Sequence, residues 1–282
     1  MPQVAYCCLG KRWRRLRQNL LWGGIVFYVA AHQDDWQFFR GEQVYADLNT
    51  PDTRVIFIQT TAGNADLTDG WREARERGVI ASIRAAIPAA PLKIDVKNIL
   101  GHQITVYECA NTANYCLRLP DSIGINSLKN LRDGVIDSLT AIDHSTTYYG
   151  WADFWLTLQE ILETERVAIG SDHPWVNASD YNSVRNPGDH ADHKATADAL
   201  REFVANTYRR AWFASSYIVS EWPPNLDGAA YASKRAVFEA YSEAVLIETT
   251  KNGVPKYATE GEWDWWGDKS YVTLRDFNEL DD

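Results

Sequence analysis

Residues 25–36 read Ile25-Val26-Phe27-Tyr28-Val29-Ala30-Ala31-His32-Gln33-Asp34-Asp35-Trp36, an apolar run that ends abruptly in one histidine and two acids. An unbroken stretch of mostly β-branched and aromatic residues suits a strand buried on both faces, and such strands belong to parallel sheets covered by helices. A competing reading comes from upstream. Lys11, Arg12, Arg14, Arg15 and Arg17 precede the apolar stretch Leu20–Ala31 as the charged region of a secretory signal precedes its apolar region. That stretch is too short to span a bilayer. It also runs straight into His32, Asp34 and Asp35 with no small-residue cleavage site ahead of polar sequence, so cleavage would destroy the reactive cluster. Ile25–Ala30 is therefore read as the first strand, residues 1–20 as a peripheral basic extension, residues 21–282 as one domain, and a cytoplasmic location as the default.

Working outward, Arg54–Thr60 is a second β-rich run, followed by a loop and by Trp71–Ile87, where Trp71, Ala74, Gly78, Ile83 and Ile87 recur at helical spacing. Pro88 ends that helix. Leu92–Val96 reads as a third strand, and Thr105–Cys109 with Tyr115–Leu119 as a hairpin turning over residues 111–114. Ser127–Leu139 and Thr157–Thr164 carry amphipathic helical patterns. Val167–Gly170 reads as a short buried strand ending at Ser171-Asp172, and residues 175–189 as a polar loop. A helix over Asp192–Tyr208, a strand around Trp212–Val219 and a helix around Ser233–Leu246 follow. Nothing divides the chain into repeats or linked modules. This alternation predicts the α/β class: a Rossmann-like open, mostly parallel sheet with helices on both faces, where ligands bind outside the carboxyl ends of the strands.

With 282 residues, 45% of them hydrophobic, the chain can bury a large core. Its 28 basic against 38 acidic residues leave a net charge of −10, which argues against nucleic acid as a partner. No apolar stretch has the length of an integral membrane segment. Twelve tryptophans beside a single methionine exceed what packing requires, and indole, with a flat apolar face and one donor, suits binding surfaces. Four cysteines do not make a disulfide framework, although Cys109 and Cys116 could face each other across the hairpin. Asn177-Ala178-Ser179 fits a glycosylation acceptor.

The chemistry concentrates in two places. His32, Asp34 and Asp35 fall together at the carboxyl end of the first strand, and the repulsion of adjacent carboxylates is relieved if one binds a cation while the other serves as a base. Imidazole with carboxylate suits Zn2+ or another divalent first-row metal. Alone, such a run is common on protein surfaces. The second place is Asp189-His190-Ala191-Asp192-His193 at a helix start, which holds two of the six histidines on one face of the first turn. Capping by Asp189 or Asp192 would account for the acids. It leaves unexplained two imidazoles beside a helix N-terminus, where positive charge is unfavourable; neutral ligands or catalytic groups fit better there.

Together the clusters resemble the LmbE-like, PIG-L-type N-acetylglucosaminyl deacetylases, which carry AHPDDE after the first strand and HPDH at a later helix start. Here the motifs stand as Ala31-His32-Gln33-Asp34-Asp35-Trp36 and His190-Ala191-Asp192-His193. The resemblance continues through Trp71–Gly78, Leu117–Asp121 and Ser233-Lys234-Arg235 to Tyr241, so it covers the chain from about Ile25 to Leu246. It implies a zinc-dependent hydrolase that removes acetyl from an N-acetylglucosamine-type sugar or glycoconjugate. It further implies His32, Asp35 and His193 as metal ligands, Asp34 as general base, and His190 as the group that assists the oxyanion or the leaving amine. The chemistry of these residues agrees, since three protein ligands leave positions open and a neighbouring acid can take a proton from water. Asp192 is a candidate to orient His190.

Gln33, Trp36 and Ala191 depart from the motifs, none of them at a ligand position. Trp36, where the family has an acid, either stacks on a sugar ring at the mouth of the site or packs beneath it. Arg75 either hydrogen-bonds substrate hydroxyls or a phosphate, or pairs with Glu73 or Glu76 on the helix surface. Asp172, expected at a strand end on the active edge, could support the metal or cap its loop. Trp263, Trp265 and Trp266 either form an outer sugar-binding wall or close the core. Two other functions stay open: a related zinc amidase acting on a larger acyl or thiol-conjugate amide, and a non-catalytic, Trp-rich glycan-binding protein with a structural metal. A closed structural site would need a fourth ligand and no spare base, whereas Asp34 and His190 are both present.

Overall fold

The computed structural model describes residues 24–276 apart from 88–89, 122–123, 173, 209 and 257–259. The basic extension over residues 1–20 and the stop at Pro88 lie outside the described residues. In chain order the strands are β1 Ile25–Ala30, β2 Arg54–Thr61, β3 Leu92–Ile99, β4 His102–Cys109, β5 Thr112–Leu119, β6 Ser138–Thr140, β7 Thr147–Tyr149, β8 Trp175–Ser179, β9 Arg210–Ala214 and β10 Val272–Asp276. The helices are α1 Asp35–Leu48, α2 Trp71–Ala86, α3 Leu128–Arg132, α4 Trp151–Ile169, α5 Ala191–Thr207, α6 Gly228–Lys251 and α7 Glu260–Trp266.

Strand β1 lies at the centre of an eight-stranded sheet ordered β10-β9-β8-β1-β2-β5-β4-β3. From β9 to β5 every neighbouring pair is parallel, and antiparallel strands extend both edges. This is the open α/β sheet that the alternating pattern predicts. The pleat sends successive side chains to opposite faces. Ile25, Phe27 and Val29 enter one core with α4 and α5, through Phe154, Leu158 and Leu200 among others. Val26 and Tyr28 enter the other with α1, α2 and α6, through Phe38, Val79 and Phe238. Burial on both sides explains why β1 is apolar without alternation. β1 is also where the order reverses, since the chain leaves it through α1 to β2 on one side and β8 arrives on the other. Such a switch point opens a crevice outside the carboxyl ends of the strands.

Several local expectations are corrected. The β4–β5 hairpin turns at Ala110-Asn111, with Ala110 at φ 51° and Cys109 opposite Thr112. Cys116 then pairs with Thr105, on a different rung from Cys109, and both are buried free thiols. Of Ser127–Leu139 only Leu128–Arg132 is helical, while Leu139 is buried on β6 against β7; the apolar positions that mimic one helix are shared between two elements. Val167–Gly170 is no strand. Val167 and Ile169 close the last turn of α4 and are 64% and 42% exposed, and a short apolar run cannot by itself distinguish a helix end from a strand. The strand there is β8, within the expected polar loop, so the loop before α5 spans only residues 180–190. Of the strand expected around Trp212–Val219, residues 212–214 lie on β9, whereas residues 217–219 belong to a 3₁₀ turn over Tyr217–Glu221. Asn177, the would-be glycosylation acceptor, is buried in β8 and donates to Phe27 O at 3.1 Å. No helix among the described residues is long and apolar enough to cross a membrane.

Candidate metal centre

The chain turns from β1 into α1 within four residues, and that turn is pinned from both sides. Asp35, in the first turn of α1, accepts from His32 N at 2.9 Å, which folds the imidazole back towards the carboxylate. Thr61 Oγ1 donates to Ala31 O at 2.8 Å, and Gln33 Nε2 donates to Thr61 O at 3.0 Å, fastening the loop to the end of β2. Because β8 lies beside β1, the loop from β8 to α5 delivers the second cluster to the same place. His190 itself caps α5, its Nδ1 accepting from Asp192 N at 3.3 Å; neither Asp189 nor Asp192 does so. One turn on, the buried His193 places Nε2 3.1 Å from His32 Nδ1 and 3.0 Å from Asp35 Oδ1. His32 Nδ1 lies 3.4 Å from the same Asp35 oxygen.

Three buried donor atoms therefore face one another, two imidazole nitrogens and one carboxylate oxygen, in a group that could hold a metal ion. Their surroundings favour positive charge. Burial disfavours an imidazolium at His193, yet Asp189 and Asp35 outweigh it and push its pKa up to about 10. His32 is raised well above its usual range despite burial, chiefly by Asp35, with Asp121 and Asp192. Burial would raise Asp35, but His193 and His32 hold it well below the usual carboxylate range. A cation shared by the three atoms satisfies all of them at once, and nitrogen, nitrogen and oxygen donors suit a first-row divalent ion. The far nitrogen of His193, Nδ1, meets Asp189 Oδ1 at 2.7 Å, and Asp189 also accepts from Asn186 Nδ2 at 2.8 Å and from Ser216 Oγ. Carboxylate–imidazole contacts of this kind orient metal-binding histidines.

Asp34 is adjacent to this group without joining it. Its carboxylate pairs with Arg75 Nη2, and Arg75 is otherwise held by Gly63 O at 2.6 Å and Tyr241 Oη at 3.1 Å. Arg75 thus takes neither partner weighed from the sequence, Glu73 or Glu76, but Asp34. Two glycines make room for it. Gly63 adopts φ 54°, and a Cβ there would lie 2.7 Å from Arg75 Nη1. Gly78 lets α6 approach α2 so closely that a Cβ would lie 2.6 Å from the Tyr241 ring.

A cavity of about 170 Å3 opens over the centre, bordered by Asp34, Arg75, Asp121, His190, Tyr217 and Trp266. Tyr217 and Trp266 stack with ring centroids 5.1 Å apart, forming an aromatic wall. His32 Nε2 points away from the donor triad, 3.4 Å from Asp121 Oδ1 and 3.6 Å from Asp192 Oδ2. His190 remains partly open to the cleft, and burial together with His32 and His193 lowers its pKa. Beyond Asp121, a groove of about 550 Å3 is bordered by Asn64, Leu67, Arg72, Pro120 and Ile125.

The remaining candidates separate. Trp36 is only 2% exposed and packs on Phe57 with centroids 5.1 Å apart, beneath the loop and away from the mouth. Asp172 is exposed and precedes β8, at the amino ends of the strands, so it does not reach the centre; the misread strand before it had placed it on the wrong edge. Asp192 approaches His190 Nδ1 at 3.8 Å with its carboxylate, but its backbone N–H makes the hydrogen bond. Of the three C-terminal tryptophans, Trp266 borders the cavity, Trp263 packs on Phe238 in the core, and Trp265 is 56% exposed. Sequence reasoning missed the roles of Asp189, Asp121 and Tyr217. Asp189 stands four residues before His193, a spacing that could have flagged it; Tyr217 leaves no local signal.

No family model matches the chain, and no curated protein matches it. Among solved structures it is similar to a deacetylase of the teicoplanin biosynthesis pathway, with 14% identity over 79% of this chain and 85% of that one and a TM-score of 0.46. It is similar to the N,N'-diacetylchitobiose deacetylase of Pyrococcus horikoshii, with 17% identity over 91% and 82% of the two chains and a TM-score of 0.45. It is also similar to the 4-carboxy-2-hydroxymuconate hydratase of Pseudomonas putida, with 11% identity over 77% and 82% and a TM-score of 0.40.

Proposed function

We propose that this protein is a metal-dependent N-deacetylase of the LmbE-like, PIG-L type, which hydrolyses the acetamide of an N-acetylglucosamine-type sugar or glycoconjugate. The observation that carries the reading is the meeting of His32, Asp35 and His193 at 3.0–3.4 Å, with the acid Asp34 next to them and outside the set. His32 Nδ1, Asp35 Oδ1 and His193 Nε2 would hold the ion, and Zn2+ suits that donor set. When bound, such an ion supplies Lewis-acid activation of water and of a carbonyl oxygen.

The chain's own groups supply the rest. Asp34, its carboxylate oriented by Arg75, accepts the proton of the attacking water. His190 is kept neutral by burial and by neighbouring imidazoles; with Nδ1 accepting from the Asp192 amide, its proton resides on Nε2, and it can donate to the oxygen that becomes negative. Breaking the C–N bond requires a proton on nitrogen, delivered from Asp34 or His190, and acetate and the free amine leave. The cleft suits a sugar: Asp121 and Arg75 offer polar partners for hydroxyl groups, and the Tyr217–Trp266 wall offers an aromatic face for a pyranose. The groove beyond Asp121 favours a substrate extended by a further group, which supports a glycoconjugate over a free monosaccharide.

Acetate release from N-acetylglucosamine and from N-acetylated glycoconjugates, with and without chelator, tests the reading. Release that chelator abolishes and Zn2+ restores is expected. Turnover only of a larger acyl amide would favour the amidase, and retained metal with no turnover of any amide would favour glycan binding with a structural ion.

A further inference from the structure

Lys234 stands on α6 with no exposed surface, a rare place for an amine. Its Nζ donates to Trp266 O at 2.8 Å and to Lys269 O at 2.5 Å, the carbonyls where α7 ends and the chain turns towards β10. Trp266 O also accepts from Lys269 N at 3.1 Å, closing the turn that Nζ bridges. Gly41 on α1 leaves room for the lysine stem, since a Cβ there would lie 2.9 Å from Lys234 Cγ. A second tie runs outward. Lys269 Nζ donates to Trp265 O at 2.7 Å and to Ser220 O at 3.3 Å, joining the end of α7 to the 3₁₀ turn over Tyr217–Glu221.

These bonds fix the two residues of the aromatic wall. Trp266 and Tyr217 stack nearly parallel and both border the cavity over the metal centre, which Lys234 does not reach. Phe38 and Phe39 also pack on the Trp266 indole, with centroids 5.2 and 5.5 Å away, but apolar contact is non-directional, and the carbonyl bonds set where the ring stops. An α7 of only seven residues needs such a tie, because the last carbonyls of a helix lack partners within it. Packing alone does not require an amine here: methionine would fill most of the same space. Burial pushes the Lys234 pKa down to about 7, although Glu42 and Asp268 favour its charge. What the lysine adds is therefore the pair of hydrogen bonds, and even a neutral amine has one N–H for each carbonyl.

We propose that Lys234 is a positioning residue for the substrate: by holding the end of α7 it sets the Trp266 indole against Tyr217 and so fixes the face on which the sugar lies. The role towards a sugar rests on the deacetylase reading; the tie itself does not.

The test compares Lys234→Met, Trp266→Ala and the double variant with the parent chain, all loaded with Zn2+. Lys234→Met should raise KM for N-acetylglucosamine about tenfold and leave kcat within about twofold, because the wall is touched alike in ground and transition states. Trp266→Ala should do the same, and the double variant should be no worse than Trp266→Ala alone, since the lysine acts through the indole. A purely structural lysine would lower Tm and the amount of active protein, and would leave KM unchanged. Lys234→Gln keeps a donor, so it should show a smaller rise in KM and remain folded where the methionine variant does not. Crystal structures of these variants without substrate should show the Tyr217–Trp266 stack displaced. An intact stack, an unchanged KM, or KM effects that multiply in the double variant would each overturn the proposal. A displaced stack together with a parent chain that hydrolyses no amide would instead support the tie and refute the deacetylase reading.

Discussion

Replacing Asp189 by Asn changes one buried atom and probes how the proposed metal ligand His193 is held. Asp189 Oδ1 accepts from His193 Nδ1 at 2.7 Å and from Ser216 Oγ, and Oδ2 accepts from Asn186 Nδ2 at 2.8 Å. In Asp189→Asn the new amide must point its NH2 either at the Asn186 amide or at the His193 N–H, and each of those is a donor. The better arrangement keeps oxygen on the His193 side and sets two donors face to face at Asn186, costing about 1–3 kcal/mol of stability. The negative charge that strengthens His193 as a ligand is also lost. Removing such a partner weakens metal affinity by roughly 10–100-fold, or about 1.4–2.8 kcal/mol. Competition for Zn2+ against a chromophoric chelator at fixed pH measures the affinity, and melting of the metal-free variant measures the stability. Ser216→Ala, which removes only one hydroxyl from Asp189, should show a smaller loss on both counts. Parental zinc affinity in Asp189→Asn would refute the reasoning, because the carboxylate would then have no part in holding His193.

Asp34→Asn should retain the metal and lose turnover by roughly 10²–10⁴-fold, whereas Asp35→Asn should lose metal as measured by elemental analysis; equal metal loss in both would defeat the division of roles. Trp36→Ala should lower stability by about 3–5 kcal/mol in chemical denaturation and leave KM unchanged for short and long substrates, since its indole is buried on Phe57. The pKa of His193 in the metal-free fold, about 10, lies above the ordinary 6.5, so its protonation stabilises that fold fully below about pH 6.5, and the contribution fades as pH rises towards 10. Melting in chelator should therefore fall across that window, and zinc should flatten the decline; a chelated chain whose Tm rises with pH would contradict the assigned environment.

The double-sided burial of β1 and the alternation of strands and helices were legible because both rest on periodicity within short windows, which a one-dimensional pattern carries. The same windows failed where an apolar run was short. Val167–Gly170 and Ser127–Leu139 have compositions compatible with either element, and tertiary packing decided between them. The tight turn at Ala110-Asn111 moved the ladder and separated Cys109 from Cys116, a consequence of register rather than residue type.

At the site, the sequence by itself determined the inventory: one imidazole and two acids at the end of β1, and two imidazoles at the start of α5, each set brought together by local chain geometry. Only the tertiary structure decided which of them meet. His32 and His193 are 161 positions apart and come within 3.1 Å because β8 pairs with β1 and its loop crosses the carboxyl end of that strand. Asp121, Tyr217 and Trp266 reach the cavity from the loop after β5, from the turn after β9 and from α7, and Arg75, near the amino end of α2, reaches Asp34 at the start of α1 rather than its helix neighbours. Trp36 was sent beneath the loop by the same helix geometry: an indole one residue after Asp35 points a third of a turn away from the cleft, into the layer between α1 and the sheet. Local sequence carries the chemistry of each group, and long-range strand order sets its partners, since a contact between distant segments depends on every element that packs between them.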